Sequence, residues 1–169
     1  MSSTAIHPAA QIGHVHLWVT GLDRAIAFYT EVLGLQVTQD MRNEPKPRRM
    51  VFLAAGDHHH QVGLRERKTP VSNETTGLFH FALLYPNRQE LARALQRVLD
   101  QEYPIDSVLD YGVSEAVNLS DPDGNGIELT YDRPPDVWPR VDGRLRFLVK
   151  KLDRDDLLRE VADVSTLVG

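Results

Sequence analysis

The sequence contains no cysteine, which excludes disulfides, thiolate zinc sites and cysteine nucleophiles together. His, Asp and Glu are left as the strong protein ligands for a metal. Positive charge is in deficit: 19 Lys and Arg against 24 Asp and Glu give a formal net charge of −5. A chain of that balance lacks the overall field that gathers nucleic acid or anionic lipid. No window approaches the roughly 18 to 20 consecutive apolar residues that span a bilayer. The opening MSSTAIHPAAQIG has no basic start followed by an apolar stretch. The expectation from these absences is a cytoplasmic protein with neither nucleic acid nor membrane as a partner.

What is present is 169 residues, 41% of them hydrophobic and 25% charged, enough for one ordinary globular domain with a buried core. Gln11 to Val19 alternates with period two, so Val15, Leu17 and Val19 face one way and His14, His16 and Trp18 the other. From Leu22 to Leu33 the apolar residues fall at helical spacing, and Gly34 follows where a left-handed cap belongs. Strand-like runs follow at 35–39, 50–54 and 60–64, with Pro45 and Pro47 marking a loop between the first two. After a polar segment over 68–76 the order is repeated: strand 78–84, helix 88–101, and strands near 107–109, 116–119 and 127–131. The expected fold is therefore α+β, two βαβββ modules at about 11–66 and 77–132 in one domain over 11–132. Beyond it, residues 133–169 form an extension whose 141–164 portion is an extended piece running into the charged helix DRDDLLREVAD.

Five of the seven histidines, His14, His16, His59, His60 and His80, fall on strand patterns, where every second side chain shares a face. Parity places His14, His80 and Glu128 opposite the apolar residues that helices should cover, so all three point into the hollow of a curved sheet. Two imidazoles and one carboxylate on one face of an ion, with open positions left over, suit iron(II), and also manganese, zinc or cobalt. The same residues also admit a blander reading, with both histidines hydrogen-bonded in the core and Glu128 solvated. The DPDGNG run of Asp121 to Gly126 lacks the remaining ligands of a calcium loop and reads as a tight connection into the Glu128 strand.

The segments HVHLWVTGLDRAIAFYTEVLGL, LFHFALLYPNR and SDPDGNGIELTYDRPPDVWP together resemble the vicinal-oxygen-chelate superfamily over about residues 11 to 139, most closely its catechol 2,3-dioxygenase-like branch. The resemblance implies a cupped mixed sheet and a metal held by His14, His80 in LFHFAL and Glu128 in GNGIEL. It assigns His60, in the His58 to His60 cluster, the acid/base role near bound dioxygen, and makes His16 and Trp18 lining of the cup. Gly63 stands where the glyoxalase I branch has a fourth, carboxylate ligand. Where the dioxygenase branch commonly has a histidine before GVSEA and a tyrosine after it, this chain has Tyr111 and Asn118 as the substrate-side hydrogen-bonding groups.

The activity so implied is iron(II)-dependent, extradiol-type cleavage of a small aromatic vicinal diol or hydroquinone by dioxygen. The alternatives are a redox-neutral metal-dependent lyase or isomerase of the same superfamily and a non-catalytic small-molecule binder. A single pair of modules leaves surface for a twin subunit, and a homodimer using Trp138 and the 145–158 tail is expected.

Overall fold

The computed structural model describes residues 11–45, 49–69, 78–146 and 148–165. Pro47 and most of the polar segment expected over 68–76 lie outside the described residues. The first module runs β1 (Val15–Val19), α1 (Leu22–Ala27), β2 (Gln36–Asp40), β3 (Val51–Ala54) and β4 (Val62–Glu66). The second runs β5 (His80–Leu84), α2 (Arg88–Asp100), β6 (Ser107–Asp110), β7 (Ser114–Ser120) and β8 (Gly126–Asp132). In each, the first strand lies parallel to the last, β1 on β4 and β5 on β8, while the other pairings are antiparallel. The sheet orders are β1-β4-β3-β2 and, with a tail strand β11 (Lys150–Lys151) added, β11-β6-β7-β8-β5. The molecule is thus an α+β fold with mixed sheets.

The expected alternation sets the layers. Leu17 and Val19 are buried beside Val62 and Leu64 of β4 on the face that α1 covers, leaving His16 and Trp18 exposed. On the second sheet Phe81, Val117, Leu119, Ile127 and Leu129 are buried, and α2 sets Leu91, Ala92, Leu95 and Val98 against the same core. Asn87 caps α2 by accepting a hydrogen bond from the Glu90 amide at 2.9 Å, satisfying one of the free N–H groups of the first turn. The first helix departs from the expected single span: it widens into a π-helical turn over Phe28–Val32. That turn keeps Phe28, Tyr29 and Val32 buried. Gly34 follows at φ +77°, the left-handed cap that glycine adopts without a Cβ penalty.

The Asp121 to Gly126 run does more than turn the chain. Asp121 accepts from the amides of Asp123 (2.9 Å) and Asn125 (2.8 Å) and from the buried Tyr29 hydroxyl (3.0 Å). Asp123 accepts from the Thr20 amide at 3.0 Å and from Arg24 at 2.8 Å, and the Asn125 side chain reaches the Trp18 carbonyl at 3.4 Å. The turn of the second module is therefore seated on the end of β1 and the first turn of α1.

The tail forms a short hairpin, β9 (Arg140–Val141) with β10 (Arg144–Leu145), then β11 and α3 (Arg154–Ser165). β11 covers the outer edge of β6, and α3 lies on α2 with Leu157 fully buried. Arg88 ties the two helices to the sheet, donating to Glu115 (2.7 Å), Asp156 (2.6 Å) and Glu160 (2.6 Å). Trp138 donates to the Arg133 carbonyl at 2.7 Å, while Leu145 stays exposed.

Candidate metal centre

The open face of the first sheet carries the imidazoles. Residues two apart on a strand share a side, so His14, just before β1, and His16, within it, stand together, with ring centroids 5.1 Å apart. In the ladder His16 pairs with Gly63 of β4, which in turn pairs with Phe52 of β3. A Cβ on Gly63 would lie 2.6 Å from His16 Cδ2, so the ring lies flat on the strand only because that position has no side chain.

His60 arrives from the loop before β4. Its ring stacks on Phe52 (4.3 Å between centroids, 15° between planes) and lies 4.3 Å from that of His14. His60 Nε2 is 3.5 Å from His16 Nε2, and its Nδ1 is 2.8 Å from Nδ1 of His59. Thr38 of β2 donates to the His59 carbonyl at 2.6 Å and fixes the loop. Among the described residues, His14, His16 and His60 are the group of three whose ligand atoms all lie within 4.8 Å of one another.

Burial, then the charges of His14 and Arg65, hold the His16 imidazole below its ordinary value. Burial, then His14, His59 and His16, does the same to His60. Both shifts favour the neutral ring, whose free nitrogen is the form that binds a metal or takes a proton.

His80 and Glu128 stand on the other sheet and are not members of this group. His80 begins β5 beside Gly126, and Ala82, two residues on, pairs with Glu128. Glu128 also pairs with Asn118 of β7, and Asn118 with Ser107. One rung of the second sheet's open face is therefore Ser107, Asn118, Glu128 and Ala82. Glu128 and His80 are half-buried there, as parity anticipates. The Nδ2 of Asn118 is buried with no hydrogen-bond partner, a donor that calls for an acceptor. Gly126 admits no side chain, since a Cβ would lie 2.4 Å from the Phe79 carbonyl oxygen.

Trp18 is exposed on the first sheet with the guanidinium groups of Arg65 and Arg67 at 5.7 and 5.8 Å from its ring. Tyr111 is half-buried in the β6–β7 connection, its amide donating to the Ser114 carbonyl at 2.9 Å. The structure thus brings His14, His16 and His60 together and sets Asn118 beside Glu128. The part of His16 was legible only as the H-x-H spacing of a strand opposite a glycine. His59 stood out only as a member of the His58 to His60 cluster, without its part in orienting His60, and Phe52 gave no signal.

No helix among the described residues is long and apolar enough to cross a membrane. The chain is similar to a catechol-2,3-dioxygenase of Bacillus subtilis, at 38% identity over 95% of this chain and 55% of that one. It is similar also to biphenyl-2,3-diol 1,2-dioxygenase 3 of Rhodococcus globerulus, at 30% identity over 72% of this chain and 63% of that one. It spans somewhat over half the length of these relatives. A solved glyoxalase/dioxygenase from Nostoc punctiforme shares the fold at TM-score 0.61 and 19% identity, covering 79% of this chain and all of that one. The family model described as Glyoxalase/Bleomycin resistance protein/Dioxygenase superfamily matches residues 11–129, and the chain belongs to that superfamily.

Proposed function

We propose that this chain carries out extradiol-type cleavage of a small aromatic vicinal diol or hydroquinone by dioxygen, using a divalent metal, iron(II) in the first instance. The 38% identity to a catechol-2,3-dioxygenase across 95% of the chain carries the reading. The donor chemistry fits such a metal: imidazole nitrogens on one open face and a half-buried carboxylate on the other. By motif the ligands are His14, His80 and Glu128, and His14 also belongs to the imidazole group. When bound, the metal would supply Lewis acidity that lowers the pKa of a coordinated hydroxyl, and a common site for diol and dioxygen.

The chain's own groups supply the rest. His60, neutral at neutral pH and steadied by His59 and Phe52, accepts a diol proton at Nε2 and returns it after ring opening. Asn118 Nδ2, unpartnered and beside Glu128, donates to a substrate oxygen. Trp18 and His16 line the approach, and Tyr111 hydrogen-bonds the substrate from the β6–β7 connection. The protein acts in the cytoplasm as a homodimer through Trp138 and the exposed Leu145 of the tail; Leu157, in the expected contact, is instead buried within the chain where α3 packs on α2.

The test is anaerobic loading with iron(II), then oxygen uptake on a panel of catechols and hydroquinones. Uptake matched to ring-opened product is expected; its absence throughout, in protein shown to hold iron, overturns the reaction. Tyr111 and Asn118 in place of the branch's histidine and tyrosine favour one second reading, a redox-neutral lyase or isomerase. Turnover under nitrogen with zinc, manganese or cobalt is its signature.

A further inference from the structure

Two residues beyond His16, on the same face of β1, the first sheet gathers positive charge around one indole. Residues two apart on a strand stand about 6.6 to 6.8 Å from each other, and the ladder sets His16 opposite Gly63 and Trp18 opposite Arg65. Arg67 shares the parity of Gly63 and Arg65, and its amide is tied to the Val19 carbonyl at 2.9 Å. Both guanidinium groups therefore reach the Trp18 ring, at 5.7 and 5.8 Å, near the outer limit of a cation–π contact. A guanidinium that meets a ring through its face keeps its N–H donors in its own plane, directed at whatever lies beside the ring. Glu66, between the two arginines, has the parity of the buried Val62 and Leu64 and pairs with Arg49 at 2.9 Å. Among the described residues no carboxylate pairs with Arg67. In a chain of net charge −5, two like charges thus converge on an exposed aromatic ring, a repulsion that an anion placed there relieves. The Arg65 charge is also felt at the neighbouring imidazole: after burial and His14, it helps hold His16 below its ordinary value.

We propose that Trp18, Arg65 and Arg67 set substrate specificity, holding beside the indole the carboxylate of an aromatic diol that bears a short acidic side group, while the diol itself lies at the metal. The inference rests on the dioxygenase reading and deepens it, from aromatic diols in general to anionic ones. One same-face step along β1 separates His16 from Trp18, a span suited to a benzene ring and the substituent opposite its diol. A carboxylate matches two guanidinium groups, since its two oxygens accept from both, in charge-assisted bonds roughly twice as strong as neutral ones. The indole adds apolar contact to the ring. A neutral diol forgoes these bonds, and that difference in affinity is the selectivity.

The first measurement needs neither metal nor turnover. Trp138→Phe leaves Trp18 as the one remaining tryptophan, and its fluorescence is titrated at low salt with 4-hydroxybenzoate and with 4-methylphenol. Saturable quenching is expected, about tenfold tighter for the acid than for the neutral phenol, the worth of one charge-assisted hydrogen bond. Added salt narrows that margin. Arg65→Gln and Arg67→Gln in the same background each cut it severalfold, whereas Arg93→Gln, the same loss of charge on α2, keeps it. No margin for the acid, or an undiminished margin in Arg67→Gln, overturns the proposal. The second measurement compares 3,4-dihydroxybenzoate with 4-methylcatechol in iron-loaded wild-type chain and in Arg67→Gln. A preference for the acid carried by KM, and lost in the variant, is expected. Equal kcat/KM on the two diols overturns the selectivity and keeps the reaction; acid binding at Trp18 without oxygen uptake on either diol overturns the reaction and keeps the binding site.

Discussion

Two glycines that face the candidate residues predict opposite outcomes for the same substitution. At Gly63 the added methyl would meet His16 Cδ2 at 2.6 Å and Nε2 at 2.7 Å, the tip of an exposed side chain. Relaxing to an ordinary contact near 3.4 Å needs a shift of about 0.8 Å, which the ring achieves by swinging outward. Gly63 has no left-handed φ, so alanine fits its backbone and gains about 0.4–1 kcal/mol from the unfolded chain. Gly63→Ala should therefore change stability by no more than about 1 kcal/mol while carrying His16 away from His60. At Gly126 the methyl would meet the Phe79 carbonyl oxygen at 2.4 Å and His80 Cβ at 3.0 Å. Backbone cannot swing, and separating β8 from the entry to β5 costs about 2–3 kcal/mol, at the upper end of overpacking penalties. Urea unfolding of both variants, with the histidine ring-proton NMR signals of the folded protein, checks the pair. Gly63→Ala with an unshifted His16 signal, or a Gly126→Ala variant as stable as wild type, would refute this account of how the sheet holds the imidazoles.

Other outcomes follow from the ion pairs and the buried phenol. Glu115, 4% exposed, accepts from Arg88 at 2.7 Å and Arg133 at 2.6 Å, and both arginines keep other carboxylate partners, so Glu115→Ala should lose about 1.5–3 kcal/mol by urea unfolding, the cost of charged hydrogen bonds removed without leaving a buried charge unpaired. Arg133 holds the Asp110 carboxyl below its ordinary value of 3.8, so that pair stabilises fully above the ordinary value and is lost as pH falls through the lowered one. Arg133→Met should flatten this acid limb in melts taken between pH 5 and pH 2, about the range in which carboxylates titrate. Burial, then the Asp121 charge, pushes the Tyr29 hydroxyl well above its ordinary value. Difference absorbance on raising pH should show Tyr29 ionising only with alkaline unfolding, and Tyr29→Phe should cost about 1 kcal/mol for its lost hydrogen bond.

Much of the fold was legible because a half-buried strand writes its geometry as alternation. Leu17 and Val19 against His16 and Trp18, and Ile127 and Leu129 against Glu128, gave the faces before any pairing was known. Other features leave little trace of that kind. The π-helical turn at Phe28–Val32 keeps the apolar spacing of an ordinary helix, so its widening cannot be read from residue types. β11 is a pair of lysines whose role as an edge cover comes from position beside β6. At the candidate site, parity told which way each side chain faces but not which faces meet. The grouping of His16 with His60 depends on a loop of seven residues closing over Phe52, a contact that no periodicity encodes.

The seating of the Asp121 to Gly126 turn on the first module bears on how the two halves stay in register. Thr20, Arg24 and Tyr29 grip the carboxylates of that turn from across the molecule, and the Phe28 and Tyr103 rings meet beside them with centroids 4.7 Å apart. The halves are thus latched at a point far along the chain from the covalent connection between Glu66 and Leu78. Fragments severed within that connection should reassociate by complementation, with Asp123 as the latch.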